Sequence, residues 1–242
     1  MTYMSTIGLI PTILFEKNPV TYNPPEMLPY DYQVIDGHRC ARPVAQLALE
    51  GLVRSGVTGA VFIVNHEHLS VVDYFKDGAM FGIPLMYMWQ WSPGLVGAIL
   101  SAYPVIKNRV VVMALPGITE PRHIKTILDA HRTGSEALTM SVAPNAQVDA
   151  AGHVISAPGQ QMMGVYVWSP VFTEYLMESH ISNPKVALEE AITHMASKQL
   201  SVRAIKLNYA PFIGSTTAWT KALGFKNPDI VYEPQPVQQI DV

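Results

Sequence analysis

The sequence is poor in charge. Asp, Glu, Lys and Arg make up 14% of its 242 residues, where an ordinary soluble domain carries about a quarter. The net charge is −3 with no basic block, so the electrostatic footprint of a nucleic-acid partner is lacking. Cys40 is the only cysteine. That excludes an internal disulfide framework and a cysteine metal site, and it fits a reducing, cytoplasmic setting. No basic stretch followed by a long apolar run opens the chain, so no signal peptide is expected. No apolar run reaches membrane-spanning length, so no membrane partner is expected. Glycine is missing where it would matter: none lies between Gly8 and Gly37.

What is present is apolar. Residues of that kind make up 49% of the chain, which excludes disorder and is enough for a well-buried core at this length. With so few charges, part of the surface is expected to be covered in an oligomer, most simply a two-fold homodimer. The aromatic-rich segments Tyr87–Trp91 and Tyr166–Phe172 are the candidate contact regions.

Apolar runs alternate with amphipathic patterns. Buried strands are predicted at Ile7–Pro11, Gly59–Asn65, Arg109–Ala114 and Met162–Trp168. A helix is predicted over Arg42–Ser55, with Val44, Leu47, Ala48, Leu52 and Val53 on one face and Gly56 as its stop. Ser70 is expected to cap a short helix ending at Gly78. Pro121–Thr133 reads as a helix that packs Ile124, Ile127, Leu128 and His131 and stops at Gly134. Asn183–Gln199 reads as another, with Asn183 as cap and Pro184 at its first position. Gln147–Ser156 carries a hairpin signal around Ala151-Gly152. Pro24, Pro25 and Pro29 mark a long irregular segment. Strand–helix alternation argues for an α/β fold, a mostly parallel sheet with helices on both faces. Residues 1–226 are read as one domain and 227–242 as a proline-rich, extended tail.

Phe81–Gly94 (FGIPLMYMWQWSPG) is the most informative stretch. An edge-like strand delivers Gln90, and a Pro-Gly turn then opens a helix. This resembles the sugar-1-phosphate nucleotidyltransferases, whose pattern is FG-x-x-L-x-Y-x-x-Q-x-x-P-x-G; here Pro93-Gly94 lacks the intervening residue. Further segments are similar in order and spacing. They are Pro19-Val-Thr21, Met27-Leu-Pro29, Gly37–Val44, Gly164–Trp168, Gln199–Val202 and Ile213–Trp219. The resemblance spans roughly residues 5–224. It implies that family's Rossmann-like fold with a mixed, mostly parallel central sheet. It also implies a pocket in which Gln90, Pro93 and Gly94 face a nucleotide base and Gly164 lies beside a sugar.

The chemistry of that family is attack of a sugar phosphate on the α-phosphorus of a nucleoside triphosphate, with Mg²⁺ held by carboxylates. The groups it needs are replaced here. Pro11–Glu16 (PTILFE) stands where a glycine-rich loop would present backbone N–H donors, and side chains with a Cβ resist the positive φ angles of such a turn. Pro25 stands in the place of a lysine and Gly117 in the place of a metal aspartate. Ser156-Ala157-Pro158 replaces an acid-Lys-Pro motif, and Phe212 replaces a second aspartate. Glu189 or Glu190 is the one surviving carboxylate.

No catalytic residue, metal ligand or cofactor is therefore expected. The reading is a pseudoenzyme, a binding or accessory subunit of nucleotide-sugar or glycan biosynthesis. Its partners would be a nucleoside or sugar ligand and an active nucleotidyltransferase relative. Two alternatives stand beside it. One is a divergent enzyme that transfers a nucleotidyl group to a phosphorylated small molecule, drawing on Lys17, Arg39, Arg42 and Glu189 as residual charge. The other is a structural homo-oligomer whose pocket is plugged by Phe15 and Phe212. His66 and His68 read as solvated loop residues and Cys40 as a quiet thiol. Trp89 and Trp91 suit base stacking and strand packing equally. Met86, Met88, Met162 and Met163 read as core fillers.

Overall fold

The computed structural model describes residues 5–12, 27–35, 37–117, 120–142, 162–197 and 201–207. Its first strand, β1 (Thr6–Pro11), is buried at every position. A two-stranded antiparallel ribbon follows, β2 (Pro29–Ile35) and β3 (His38–Pro43). Then come α1 (Val44–Arg54), β4 (Ala60–Val64), α2 (Leu69–Phe75), β5 (Leu85–Trp89), α3 (Gly94–Ser101), α4 (Tyr103–Ile106) and β6 (Val110–Ala114). The remaining elements are α5 (Pro121–Thr133), β7 (Leu138–Val142), β8 (Met162–Trp168), α6 (Pro170–Ser182), α7 (Leu188–Ser197) and β9 (Val202–Lys206).

Seven strands form one sheet in the order β5-β4-β1-β6-β8-β7-β9. All neighbouring pairs are parallel except those of β8, which runs antiparallel to both β6 and β7. The sheet is buried on both sides, and its strands divide their residues by alternation. Ile7, Leu9, Val61, Ile63, Val111, Met113, Tyr166 and Trp168 face a core built with α3, α4, α6 and α7. Ile10, Phe62, Val64, Val112, Ala114, Val165 and Val167 face the core built with α1, α2 and α5. That two-sided burial is why these strands read in the sequence as unbroken apolar runs.

Several expectations are corrected. Pro29 opens β2 and does not lie in an irregular segment. The first helix begins at Val44, because Arg42 and Pro43 still belong to β3. Its buried face includes Leu49, while Leu47 and Val53 are half-buried. Ser70 lies inside α2, whose N-cap is His68. Asn183 is not the N-cap of the next helix: it is the C-cap of α6, its N–H donating to the Ser179 carbonyl at 2.8 Å, its Oδ1 accepts the Lys185 N–H at 3.1 Å in a local turn, and α7 starts only at Leu188. The helix missed before it, α6, has Ser169 at its N-cap and Pro170 in its first turn. The predicted hairpin at Gln147–Ser156 lies outside the described residues. Among those residues no helix is long and apolar enough to cross a membrane.

Candidate functional site

The chain order of the strands reverses at β1, whose neighbours are β4 on one side and β6 on the other. Open α/β sheets bind ligands outside the carboxyl ends of their strands at such a switch point. Thr12 stands at the end of β1, fully buried. Its backbone N–H and its Oγ1 both donate to the Ile63 carbonyl, at 3.1 and 2.7 Å. Asn65 follows β4, and its Oδ1 accepts the Glu67 N–H at 2.8 Å. His66 is exposed. His68 is not the solvated residue expected: it is buried, its N–H donates to the Asn65 carbonyl at 3.0 Å, and burial lowers its pKa.

The segment after β5 is the best-built part of the rim. Gln90 continues the β5 ladder, its N–H donating to the Val64 carbonyl at 2.9 Å. Its side-chain Nε2 donates to the Ser92 carbonyl at 2.7 Å and reaches the Gly94 carbonyl at 3.4 Å. Both amide N–H groups are thus directed into the turn. Pro93 (φ −68°, ψ 161°) and Gly94 (φ +79°) take the backbone of a type II-like turn, in which glycine supplies the positive φ. Gly97, one turn into α3, lies so near the Ser92 carbonyl that a Cβ there would meet it at 2.5 Å. The Trp91 N–H donates to Ser101 Oγ at 3.2 Å, and Ser101 Oγ donates to the Gly97 carbonyl at 2.9 Å. Ser92 Oγ lies 3.2 Å from His180 Nε2 of α6. Nothing in the sequence pairs Ser92 or Ser101 with these partners. Trp89 and Trp91 are 54% and 61% exposed.

The other built part is a bulge at Gly164. Met140 pairs with Tyr166 and Val142 with Met162, so three residues of β8 stand opposite Ser141 alone. Ser141 Oγ closes the gap: it accepts the Val165 N–H and donates to the Val165 carbonyl, both at 3.1 Å. Bulges of this kind recur beside functional sites because they re-aim the strand. The Gly164 carbonyl accepts the Leu115 N–H at 2.7 Å, which ties the bulge to the end of β6, and Gly117 follows there, buried. The serine was the readable signal: Leu138–Val142 alternates apolar residues with Thr139 and Ser141, both fully buried.

Gln90 and Gly164 are not close neighbours. Four inter-strand steps separate β5 from β8, roughly 19 Å at the usual spacing. A ligand touching both must be elongated. Glu189, in the first turn of α7, is near enough to Tyr166 for its charge to add to the upward pKa shift that burial imposes on the phenol. Arg42 is already engaged, at 3.1 Å from Asp31 and 3.1 Å from Glu50. Lys17, Phe15 and Phe212 lie outside the described residues. No group of three or more metal-binding side chains occurs among the described residues. Met88 packs on the core as expected, while Met86 is 39% exposed. The side chains of Met162 and Met163 are outside the description.

This sheet order, with β8 reversed between β6 and β7, is the fold of solved sugar-1-phosphate nucleotidyltransferases. A UDP-glucose pyrophosphorylase complexed with UDP-glucose superposes with a TM-score of 0.71 at 19% identity, covering 94% of this chain and 100% of that one. An apo UDP-glucose pyrophosphorylase gives 0.72 at 18%, covering 92% and 98%. A protein from Bacillus anthracis, described as a glucose-1-phosphate thymidylyltransferase in complex with a sucrose, gives 0.70 at 16%, covering 95% and 97%. No protein-family profile matches the chain, and no curated sequence does. At these identities the likeness defines the fold and nothing finer.

Proposed function

We propose that this chain is a non-catalytic binding or accessory subunit that holds a nucleoside or sugar-like ligand at the Gln90–Gly94 turn. One contrast carries the reading. The turn is braced on every side by hydrogen bonds, while the end of β6, where the resembled enzymes need a metal carboxylate, ends in the buried Gly117. A glycine supplies no charge to a metal, and a triphosphate is costly to desolvate without one. A nucleoside needs only an amide acceptor, a backbone turn and a ring to stack on. Arg42 adds little cationic help, because two carboxylates already neutralise it. The natural setting is nucleotide-sugar or glycan synthesis beside an active relative.

The test is calorimetry on uridine, thymidine and their mono-, di- and triphosphates, with and without Mg²⁺. The expected result is binding that does not depend on Mg²⁺, with nucleoside or monophosphate held at least as well as triphosphate. Affinity rising steeply with phosphate count and metal would sink the proposal. A second assay is pyrophosphate release from nucleoside triphosphates with common sugar phosphates, expected to be absent. Turnover on the order of 1 per second, abolished by Glu189→Gln, would establish a divergent enzyme instead.

A further inference from the structure

Ser92 and His180 are separated by 88 residues in sequence and lie 3.2 Å apart, Oγ to Nε2. Both are buried, at 9% and 6% exposure. We infer that His180 is a positioning residue that fixes the Gln90 turn through Ser92, an inference that rests on that turn being the ligand-holding element.

The bonds run in one direction. His180 grips the Ser92 side chain; the Ser92 backbone carbonyl takes the amide of Gln90 at 2.7 Å. That second bond sets where Gln90 Oε1 points. The edge of the Trp91 ring packs on the imidazole, with centroids 5.7 Å apart and planes at 79°. A single side chain from α6 thus touches both residues that follow Gln90. The other imidazole nitrogen, Nδ1, is buried with no hydrogen-bond partner among the described residues. A buried nitrogen left unmatched is costly. Leucine or phenylalanine would fill the space without that cost, so a histidine here is accounted for by the bond its Nε2 makes. The helix that carries His180 follows directly on β8, the strand of the Gly164 bulge. His180 therefore braces the Gln90 flank of the rim from the element that continues the Gly164 flank.

Three variants of the full chain test this: His180→Phe keeps a packed ring, His180→Gln keeps a side chain able to hydrogen-bond the Ser92 hydroxyl, and Ser92→Ala removes that hydroxyl. Hydrogen exchange is read on residues 89–97, with β6 as the internal reference, and affinity is read with uridine monophosphate. The expected result is exchange about five- to tenfold faster in 89–97 for His180→Phe and Ser92→Ala, with β6 unchanged. Affinity for the nucleotide is expected to fall by a similar factor, and His180→Gln is expected to restore both. Unchanged exchange in His180→Phe overturns the inference, since ring packing then suffices. Equal acceleration in β6 overturns it too, since the effect is then global. If the wild-type chain does not bind the nucleotide, the functional reading fails, and the exchange result alone still decides whether His180 sets the turn.

Discussion

His131 gives the protein a stability that depends on pH. It lies on α5, 7% exposed, with Nδ1 at 3.0 Å from Thr139 Oγ1 of β7. Burial pushes its pKa down to about 4, against a smaller opposing pull from Glu136. The unfolded chain has the ordinary value of about 6.5. As pH falls, the unfolded state therefore takes up a proton first. The contribution is whole at and above neutral pH, is lost progressively from about 6.5 downward, and levels off below about 4. The full gap corresponds to about 3 kcal/mol, and about 2 kcal/mol of it is lost between pH 7.5 and pH 5. The assay is urea unfolding at those two values, on the wild-type chain and on His131→Asn. Asparagine keeps a polar atom near the Nδ1 position and does not titrate. Other groups contribute equally to both proteins and cancel in the comparison. The pH-dependent loss is expected to be about 2 kcal/mol smaller in the variant. An equal loss in both would refute the assignment, whatever the variant's absolute stability.

Gly97→Ala is expected to cost about 1–3 kcal/mol in urea unfolding, because its Cβ would fall 2.5 Å from the Ser92 carbonyl; nucleoside binding should weaken with it, since that carbonyl holds Gln90. A wild-type unfolding midpoint in this variant would mean the helix and turn are less tightly apposed than described. Tyr166, Trp168 and Phe172 are buried in the core, so the segment Tyr166–Phe172 is not the contact region expected; the exposed apolar side chains Tyr32, Val34, Met80, Trp89 and Ile181, with the low charge content, lead us to expect a homodimer. Light scattering in dilute solution should give twice the 26.7 kDa chain mass, and a single species at 26.7 kDa would disprove it.

Much of the fold was legible because both faces of the sheet are buried. β1, β4, β6 and β8 each appear as an apolar run, and α5 carries a proline start and a glycine stop that match its observed ends. The ribbon β2–β3 was not legible. It stands apart from the main sheet, residues 29–34 and 38–42 are exposed or half-buried, and Pro29, Asp31, Arg39 and Arg42 give it the composition of a loop. The start of α7 was misread because Asn183-Pro184 has the chemistry of a helix start yet is spent on a local turn. The strand end, turn and helix start around Gln90, Pro93 and Gly94 were readable because one contiguous stretch encodes all three. Ser92, Ser101, His180 and Ser141 were not. Each acts through a partner that the fold supplies, and for His180 that partner lies 88 positions away.

On the proposed function, the same distinction accounts for a ligand-holding turn that persists without a phosphate grip. The Gln90–Gly94 turn is local: its geometry follows from a proline, a glycine at φ +79° and an amide that bonds two carbonyls of its own turn. It gathers no charge, so nothing elsewhere must compensate it. A phosphate grip is the opposite. It needs backbone donors after one strand, a cation from a second segment and carboxylates from others, and each is unfavourable to bury unless the rest are present. Once one such group is replaced, the remaining charges are liabilities in a partly buried cleft. Gly117 at the end of β6 and the pairing of Arg42 by Asp31 and Glu50 are consistent with that sequence of events. Returning one carboxylate alone, as in Gly117→Asp, is accordingly expected to lower stability and to confer no Mg²⁺-dependent turnover. Urea unfolding and pyrophosphate release would check the two halves of that expectation, and turnover from this one change would show that the rest of the grip had been present all along.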